Sequence, residues 1–319
     1  MGRETEGGAA WAGPGRRTVV WAGVGVGTAA AVGAGRDAEA ATAQGGGSDG
    51  VKVIPVPQQA PVVEGVVRVD GVGLGYWDTG GKGEPVVLMH PASGSRESWP
   101  YQQPVLARAG YRVIGYSRRG YHGSETGDPA QGGTGAADLH QLVRTLGLGR
   151  FHIAGVAGGG GVALDYALLH PGRIRSLTIA GSSTGVAEPA YRALLDRLEH
   201  SGWDGLPEEF RELGPAYRAA DPEGGARWRE IHLRAVANRV RQEYELTPDW
   251  AALESLNLPV LLFWGDADLY SPPPVQRVLA SHFRRARTVV ADECGHNPQW
   301  ERSDLFNSAL LRFLRQNAR

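Results

Sequence analysis

Two short stretches late in the chain carry residue types that can move a proton. WGDAD, residues 264–268, offers Asp266 and Asp268 at the end of an apolar run. CGHNPQWE, residues 294–301, offers Cys294 and His296. A histidine oriented by a carboxylate is a competent general base, able to take a proton from water, an acidic carbon or a hydroxyl. A third stretch, FHIAGVAGGGGVALDYALLHP at 151–171, reads as a buried strand, a glycine-rich turn and a helix. A nucleophile is expected at the tip of such a turn, and Ala157 stands there. A methyl group cannot attack, so covalent catalysis at that point is excluded.

Composition sets other chemistries aside. The 319 residues carry a net charge of −1, so no electrostatic case for nucleic acid arises. The histidines and carboxylates lack metal-ligand spacing, and no metal is expected. GGGG at 158–161 is not followed by Gly-Lys-Ser/Thr, so it is no phosphate loop and implies no nucleotide. No cofactor is expected. Cys294 is the single cysteine, which rules out an internal disulfide.

The elements that must position these residues are legible around them. VVEGVVRVDG and LGYWDTG read as two strands joined by a tight turn at Asp70-Gly71. PVVLMH, YRVIGYS, RFHIAGV, RIRSLTIAG, PVLLFWGD and RTVVAD read as further strands, with Val86, Val113, Ile153, Leu177 and Leu261 inside them. Helices are expected between them: one capped by Ser98 and stopped at Gly110, one with apolar residues spaced from Ala137 to Leu146, and one closing the chain over SDLFNSALLRFLRQ. Strands alternating with helices imply an α/β fold, a mostly parallel sheet with helices on both faces. From Ser182 to Leu258 the pattern is helical, without a convincing strand.

The order of the three stretches is turn, acid, histidine. With the strand–turn–helix at Gly155-Val156-Ala157-Gly158-Gly159, this resembles the α/β-hydrolase superfamily from about Val62 onward. The likeness is to the branch of epoxide hydrolases, haloperoxidases, lactonases and carbon–carbon bond hydrolases. It implies a core of residues 62–185 and 257–319, and a helical cap of residues 186–256 inserted after the sixth strand. Asp268 matches the family's acid, with Asp266 as competitor, and His296 matches its histidine. Gly158 and Ala92 match the two residues whose N–H groups form the oxyanion hole. HPASGSRESW carries Pro91 where the family has glycine, and YSRRGYHGS carries Ser117 for an aspartate and His122 for a glycine. Arg119 is expected to hold that loop, and His122 to be solvated or at the pocket mouth. Val156 and Gly158 depart from the usual His-Ser-Met along with Ala157.

Three readings of the alanine stay open. The His296–Asp268 dyad works alone on a small apolar or aromatic ester, lactone, epoxide or related substrate. A serine hydrolase has had its serine replaced at 157. A noncatalytic protein binds a small molecule in the same pocket. Ser183, within GSSTG, and Cys294 are the minor substitutes for a nucleophile. His90, Trp99 and Trp264 are expected to line the pocket, whose aromatic character would favour a bulky apolar ligand.

The first residues read differently from the rest. Arg16-Arg17 precede a Gly/Ala-rich, mildly apolar run, and ATAQ follows with small residues placed for cleavage. Residues 1–43 resemble a twin-arginine export signal, implying a periplasmic or extracellular mature protein with no membrane span. Without that signal the chain would be cytoplasmic. Residues 44–61 are expected to be a flexible linker.

Overall fold

The computed structural model describes residues 50–199, 201–235, 240 and 242–318. The expected export segment lies outside the described residues. The expected linker is not free where it is described. Ala60 N–H donates to Gln103 Oε1 at 2.9 Å, and Gln103 Nε2 returns a bond to Ala60 O at 2.8 Å. Val51 and Ile54 pack beside Tyr101 and Trp300. Their apolar side chains and those paired amides dock a segment that its glycine-rich beginning suggested would be loose.

Eight strands form one sheet: β1 (Val63–Val69), β2 (Val72–Asp78), β3 (Pro85–Met89), β4 (Arg112–Tyr116), β5 (Phe151–Val156), β6 (Ile174–Ala180), β7 (Val260–Gly265) and β8 (Ala286–Ala291). Their order is β1-β2-β4-β3-β5-β6-β7-β8. The β1–β2 hairpin turns at Asp70 and Gly71, both at positive φ (49° and 82°), as the Asp-Gly pair requires. β2 pairs antiparallel with β4, and every pair from β4 to β8 is parallel. Parallel strands covered on both faces read as continuous apolar runs, and β5 and β7 are buried along their whole length.

Helices close both faces: α1 (Gln103–Arg108), α2 (Gly135–Thr145), α3 (Gly158–Leu169), α4 (Pro189–Leu198), α5 (Glu208–Glu212), α6 (Pro215–Ala220), α7 (Pro222–Ala235), α8 (Trp250–Ser255), α9 (Pro273–Ser281), α10 (Pro298–Glu301) and α11 (Ser303–Gln316). One core layer joins Val87, Ile153, Leu177 and Leu262 to Leu139 and Leu164; the other joins Val86, Leu88 and Phe263 to Leu106, Phe306 and Leu310. The helical stretch after β6 holds α4 to α8.

One helix start differs from expectation. Ser98 does not cap α1. Ser95 caps a single 3-10 turn at Arg96–Ser98, and α1 begins only at Gln103. Pro100 disfavours helical backbone at Trp99, which delays the helix.

The chain runs from β3 to β4 on one side and then crosses back past β3 to β5 on the other, so the direction of winding reverses at β3. Crevices in open parallel sheets form at the strand C-termini beside such a point. The loops after β3 and β5 therefore meet there.

Candidate active site

The turn after β5 is built for a residue that stands above the sheet. Ala157 holds φ 50° and ψ −121°, a region where a side chain is strained by about 1–3 kcal/mol. Its N–H donates to Ala180 O at 2.9 Å, and its own carbonyl accepts from Gly160 N–H at 2.9 Å as α3 begins. The two flanking glycines are required by space. A β-carbon on Gly155 would collide with the Gly159 backbone, and one on Gly159 with the carbonyl oxygens of Met89 and His90. Gly158 is different. A β-carbon there would sit 3.5 Å from Ala92 Cβ and 3.7 Å from Ala92 N, ordinary contact distances. The first residue of a helix has an N–H with no acceptor inside the helix. Gly158 and Ala92 thus adjoin each other, with Gly158 directly after Ala157.

Across the site, the His296 Nδ1–H donates to both oxygens of Asp268, at 2.9 and 3.0 Å, leaving Nε2 for a reacting group. Asp268 also accepts from Tyr270 N–H, from Ser271 N–H and, at 2.6 Å, from Ser271 Oγ. Burial alone would raise the Asp268 pKa, but the His296 charge and these donors hold it below the usual carboxylate value. Burial alone would lower His296; the Asp268 charge and hydrogen bond, with Glu212 and Glu301 nearby, override it and raise the imidazole to about 9. Asp266 lies apart. It is exposed and accepts only a long bond from Cys294 N–H at 3.4 Å. The acid is Asp268.

The histidine loop is braced by buried carboxylates. His296 N–H donates to Glu212 O at 3.0 Å, and Asn297 Nδ2 to Glu212 Oε2 at 2.7 Å. Ser93 Oγ, from the loop after β3, donates to the same Glu212 oxygen at 2.9 Å. Glu301 accepts N–H bonds from Gly214, Gly295 and Asn297, yet its burial pushes its pKa up to about 7. The two halves of the site meet through β6. Ala180 accepts the Ala157 N–H, and the position of a β-carbon on the next residue, Gly181, lies 3.5 Å from His296 Nδ1.

The expected pocket residues take other places. His90 is fully buried: Nδ1 donates to Pro91 O at 2.8 Å, and Nε2 accepts Arg118 N–H at 3.0 Å. Its burial, with Arg118 adding to the effect, lowers its pKa well below the ordinary value. It is a neutral brace for the loop, because both ring nitrogens serve the backbone. Trp99 and Trp264 are fully buried and belong to the two core layers on opposite faces of the sheet. Their large apolar area made them good pocket candidates and makes them equally good core. The ring beside the histidine is Tyr270, with centroids 4.2 Å apart, and Trp203 packs edge-on against Tyr270. Tyr270 sits two residues after the acid in DADLYS, a proximity that was the available signal.

Arg119 holds its loop through Asp138, at 2.7 and 2.8 Å. His122 is solvated, 3.7 Å from Glu97. Cys294 is buried in a core layer, its thiol pushed well above its ordinary value by burial, and its Sγ donates to Gly295 O, which suits a packing residue and no nucleophile. After Ser183 the chain takes a positive φ at Thr184 and starts α4 only at Pro189, so no helix begins at that serine. Among the described residues no group of three or more His, Cys, Asp or Glu is placed to hold a metal ion, and no helix is long and apolar enough to cross a membrane.

The sequence profile of the alpha/beta hydrolase fold matches residues 84–213 and 206–303. The chain is 28% identical over 270 residues to a 2-hydroxy-6-oxononadienedioate/2-hydroxy-6-oxononatrienedioate hydrolase of Burkholderia vietnamiensis, covering 76% of this chain and 90% of that protein. A solved enzyme that degrades N-acyl homoserine lactones superposes with a TM-score of 0.65 at 26% identity, over 78% of this chain and 100% of that one. A thermophilic esterase of Thermogutta terrifontis superposes at 0.64 with 24% identity, over 81% and 99%, which bears on the fold alone.

Proposed function

The chain belongs to the alpha/beta hydrolase fold family, and on that premise we propose a cofactor-independent enzyme whose base is the His296–Asp268 pair, working without a covalent nucleophile. Its substrate is a small apolar or aromatic ester, lactone, epoxide or related compound. One observation carries the reading: Asp268 and His296 form a buried, fully braced pair, while the elbow residue, Ala157, has no group to activate. The similarity to hydrolases of oxo-acids and lactones supports the substrate class.

For an ester or lactone the steps follow from the geometry. His296 Nε2 takes a proton from water as the water oxygen attacks the carbonyl carbon. The carbonyl electron pair moves onto its oxygen, beside the Ala92 and Gly158 N–H groups. Collapse breaks the carbon–oxygen bond, and the leaving oxygen takes the proton from His296. Ala157, being small, leaves the attacking water its place.

A second reading is favoured by the φ of 50° at Ala157. That conformation is useful to a serine and only costly to a methyl, as in a hydrolase whose serine was replaced. Turnover of a panel of esters, lactones and epoxides by the chain as it stands, by Ala157→Ser and by His296→Ala separates the two. Activity of the unaltered chain that His296→Ala abolishes supports the dyad. Activity that appears only in Ala157→Ser supports the replaced serine. Ligand binding with no turnover in any of the three leaves a binding protein.

In this proposal the helices from α4 to α8 act as the cap over the site. Residues 1–43 direct twin-arginine export, so replacing Arg16 and Arg17 by lysine should retain the chain in the cytoplasm.

A further inference from the structure

The two arginines that follow β4 are used differently. Arg119 lays one edge of its guanidinium on Asp138, with Nε to Oδ2 at 2.8 Å and Nη2 to Oδ1 at 2.7 Å. Arg118 is almost as buried, 8% exposed, with its guanidinium 4.7 Å over the Tyr121 ring. Among the described residues its Nη2 reaches only the His90 carbonyl oxygen, at 3.4 Å, and its Nε is buried without a hydrogen-bond partner. The nearby carboxylates are committed elsewhere: Asp138 to Arg119 and Gln242, Glu212 to Ser93 and Asn297. A buried guanidinium with an open Nε–Nη2 edge is costly until an anion meets it, and that edge matches a carboxylate in both spacing and plane.

The open edge borders the elbow. A β-carbon on Gly158 would lie 3.7 Å from Arg118 Nη2 and the same distance from Ala92 N. Glycine at 158 therefore leaves the place of a side-chain carbon unfilled between a cation and the Ala92 N–H, and the methyl of Ala157 adds no bulk beside it. Resting on the reading of this site as one that takes a small molecule, we propose that the gap is a carboxylate subsite, in which Arg118 holds the ligand's acid group through Nε and Nη2. The substrates are then small carboxylic acids that carry the reacting bond close to the acid group. Arg118 is the specificity-determining residue and Gly158 the residue that gives access to it.

Benzoate tests the subsite without turnover. Titration calorimetry would compare the unaltered chain with Arg118→Gln, Arg118→Lys, Gly158→Met and His296→Ala, with benzamide as the neutral probe. Benzoate should bind the unaltered chain at least ~10-fold more tightly than benzamide, as a charge-assisted bidentate pair allows. Arg118→Gln should lose about that factor, and Arg118→Lys should recover only part of it, since a lysine cannot present the fork. Gly158→Met should block the gap with the arginine still present, so it carries the test if Arg118→Gln fails to fold. His296→Ala should keep benzoate binding while losing turnover, which separates failure of the subsite from failure of the dyad. Loss of benzoate in His296→Ala with Arg118→Gln unaffected would move the anion onto the imidazolium and overturn the proposal. Equal affinity for benzoate and benzamide, or no benzoate binding at millimolar concentration, would overturn it as well.

Discussion

At the ends of β7 and β8, Asp268 accepts hydrogen bonds from His296, Tyr270 and Ser271, and the histidine loop is braced again by Glu212 and Glu301. At the end of β5, by contrast, the backbone of a nucleophile elbow survives around a residue with no chemistry. Both sides are equally well formed as structure. They differ in what their side chains can do, and in the proposed function the side that can move protons carries the chemistry. In that proposal the turn contributes only its backbone N–H groups and the space it leaves.

Removing the base is the strongest way to test that contrast. His296→Ala should lower kcat/KM by about 10^4-fold in a turnover assay, the upper range for a general base. Asp268→Asn comes next, at about 10^3-fold, because an amide can hold the imidazole in the wrong tautomer. A fall of similar size from any change of side chain at Ala157 would break the comparison.

The pH profile sharpens it. His296 is raised to about 9, so the free enzyme's imidazole is charged at neutral pH and the base form grows as pH rises. Below that value kcat/KM should climb about tenfold per pH unit, and Asp268→Asn should move the rise to lower pH. Stability follows the opposite direction. The raised value makes His296 stabilising in full below its unfolded pKa of about 6.5, and that contribution fades as pH rises through about 9. Melting temperatures between pH 6 and 10 measure it.

Changes on the elbow side should be small. Ala157→Ser should alter turnover by less than about tenfold if the dyad acts alone, and a gain of several orders would favour the replaced-serine reading instead. Ala157→Gly should relieve the positive φ, raising stability by about 1 kcal/mol, or roughly 2–4 °C in melting temperature.

Much of this was legible in the sequence because it rests on local rules. Asp70-Gly71 dictates its turn, the apolar runs of β3, β5 and β7 dictate buried parallel strands, and the glycines at 155 and 159 mark a turn that tolerates no side chain. Asp268 could be preferred over Asp266 by its match to the family's acid, and the hydrogen bonds to His296 agree. What was not legible depends on distant partners. Trp99 and Trp264 have the same composition signal whether they line a cleft or fill a core. Glu212 stands 84 residues from His296 (212 against 296), and no local pattern ties them. Arg118 and Arg119 are adjacent and identical, and only the position of Asp138 tells which one is satisfied.

The bonds around Glu212 have a mechanical consequence. The His296 amide, the Asn297 side chain and the Ser93 hydroxyl all end on this one residue of α5, while Glu301 reaches across to the Gly214 amide at the start of α6. The base is stapled to the segment that lies against it. Swinging α5 and α6 outward as one gate would tear these buried bonds together, at about 1 kcal/mol net or more apiece, and pull the imidazole off its acid. In the proposed function a form with α5 and α6 swung out would therefore be disarmed, the acid–histidine pair holding together only while these bonds do.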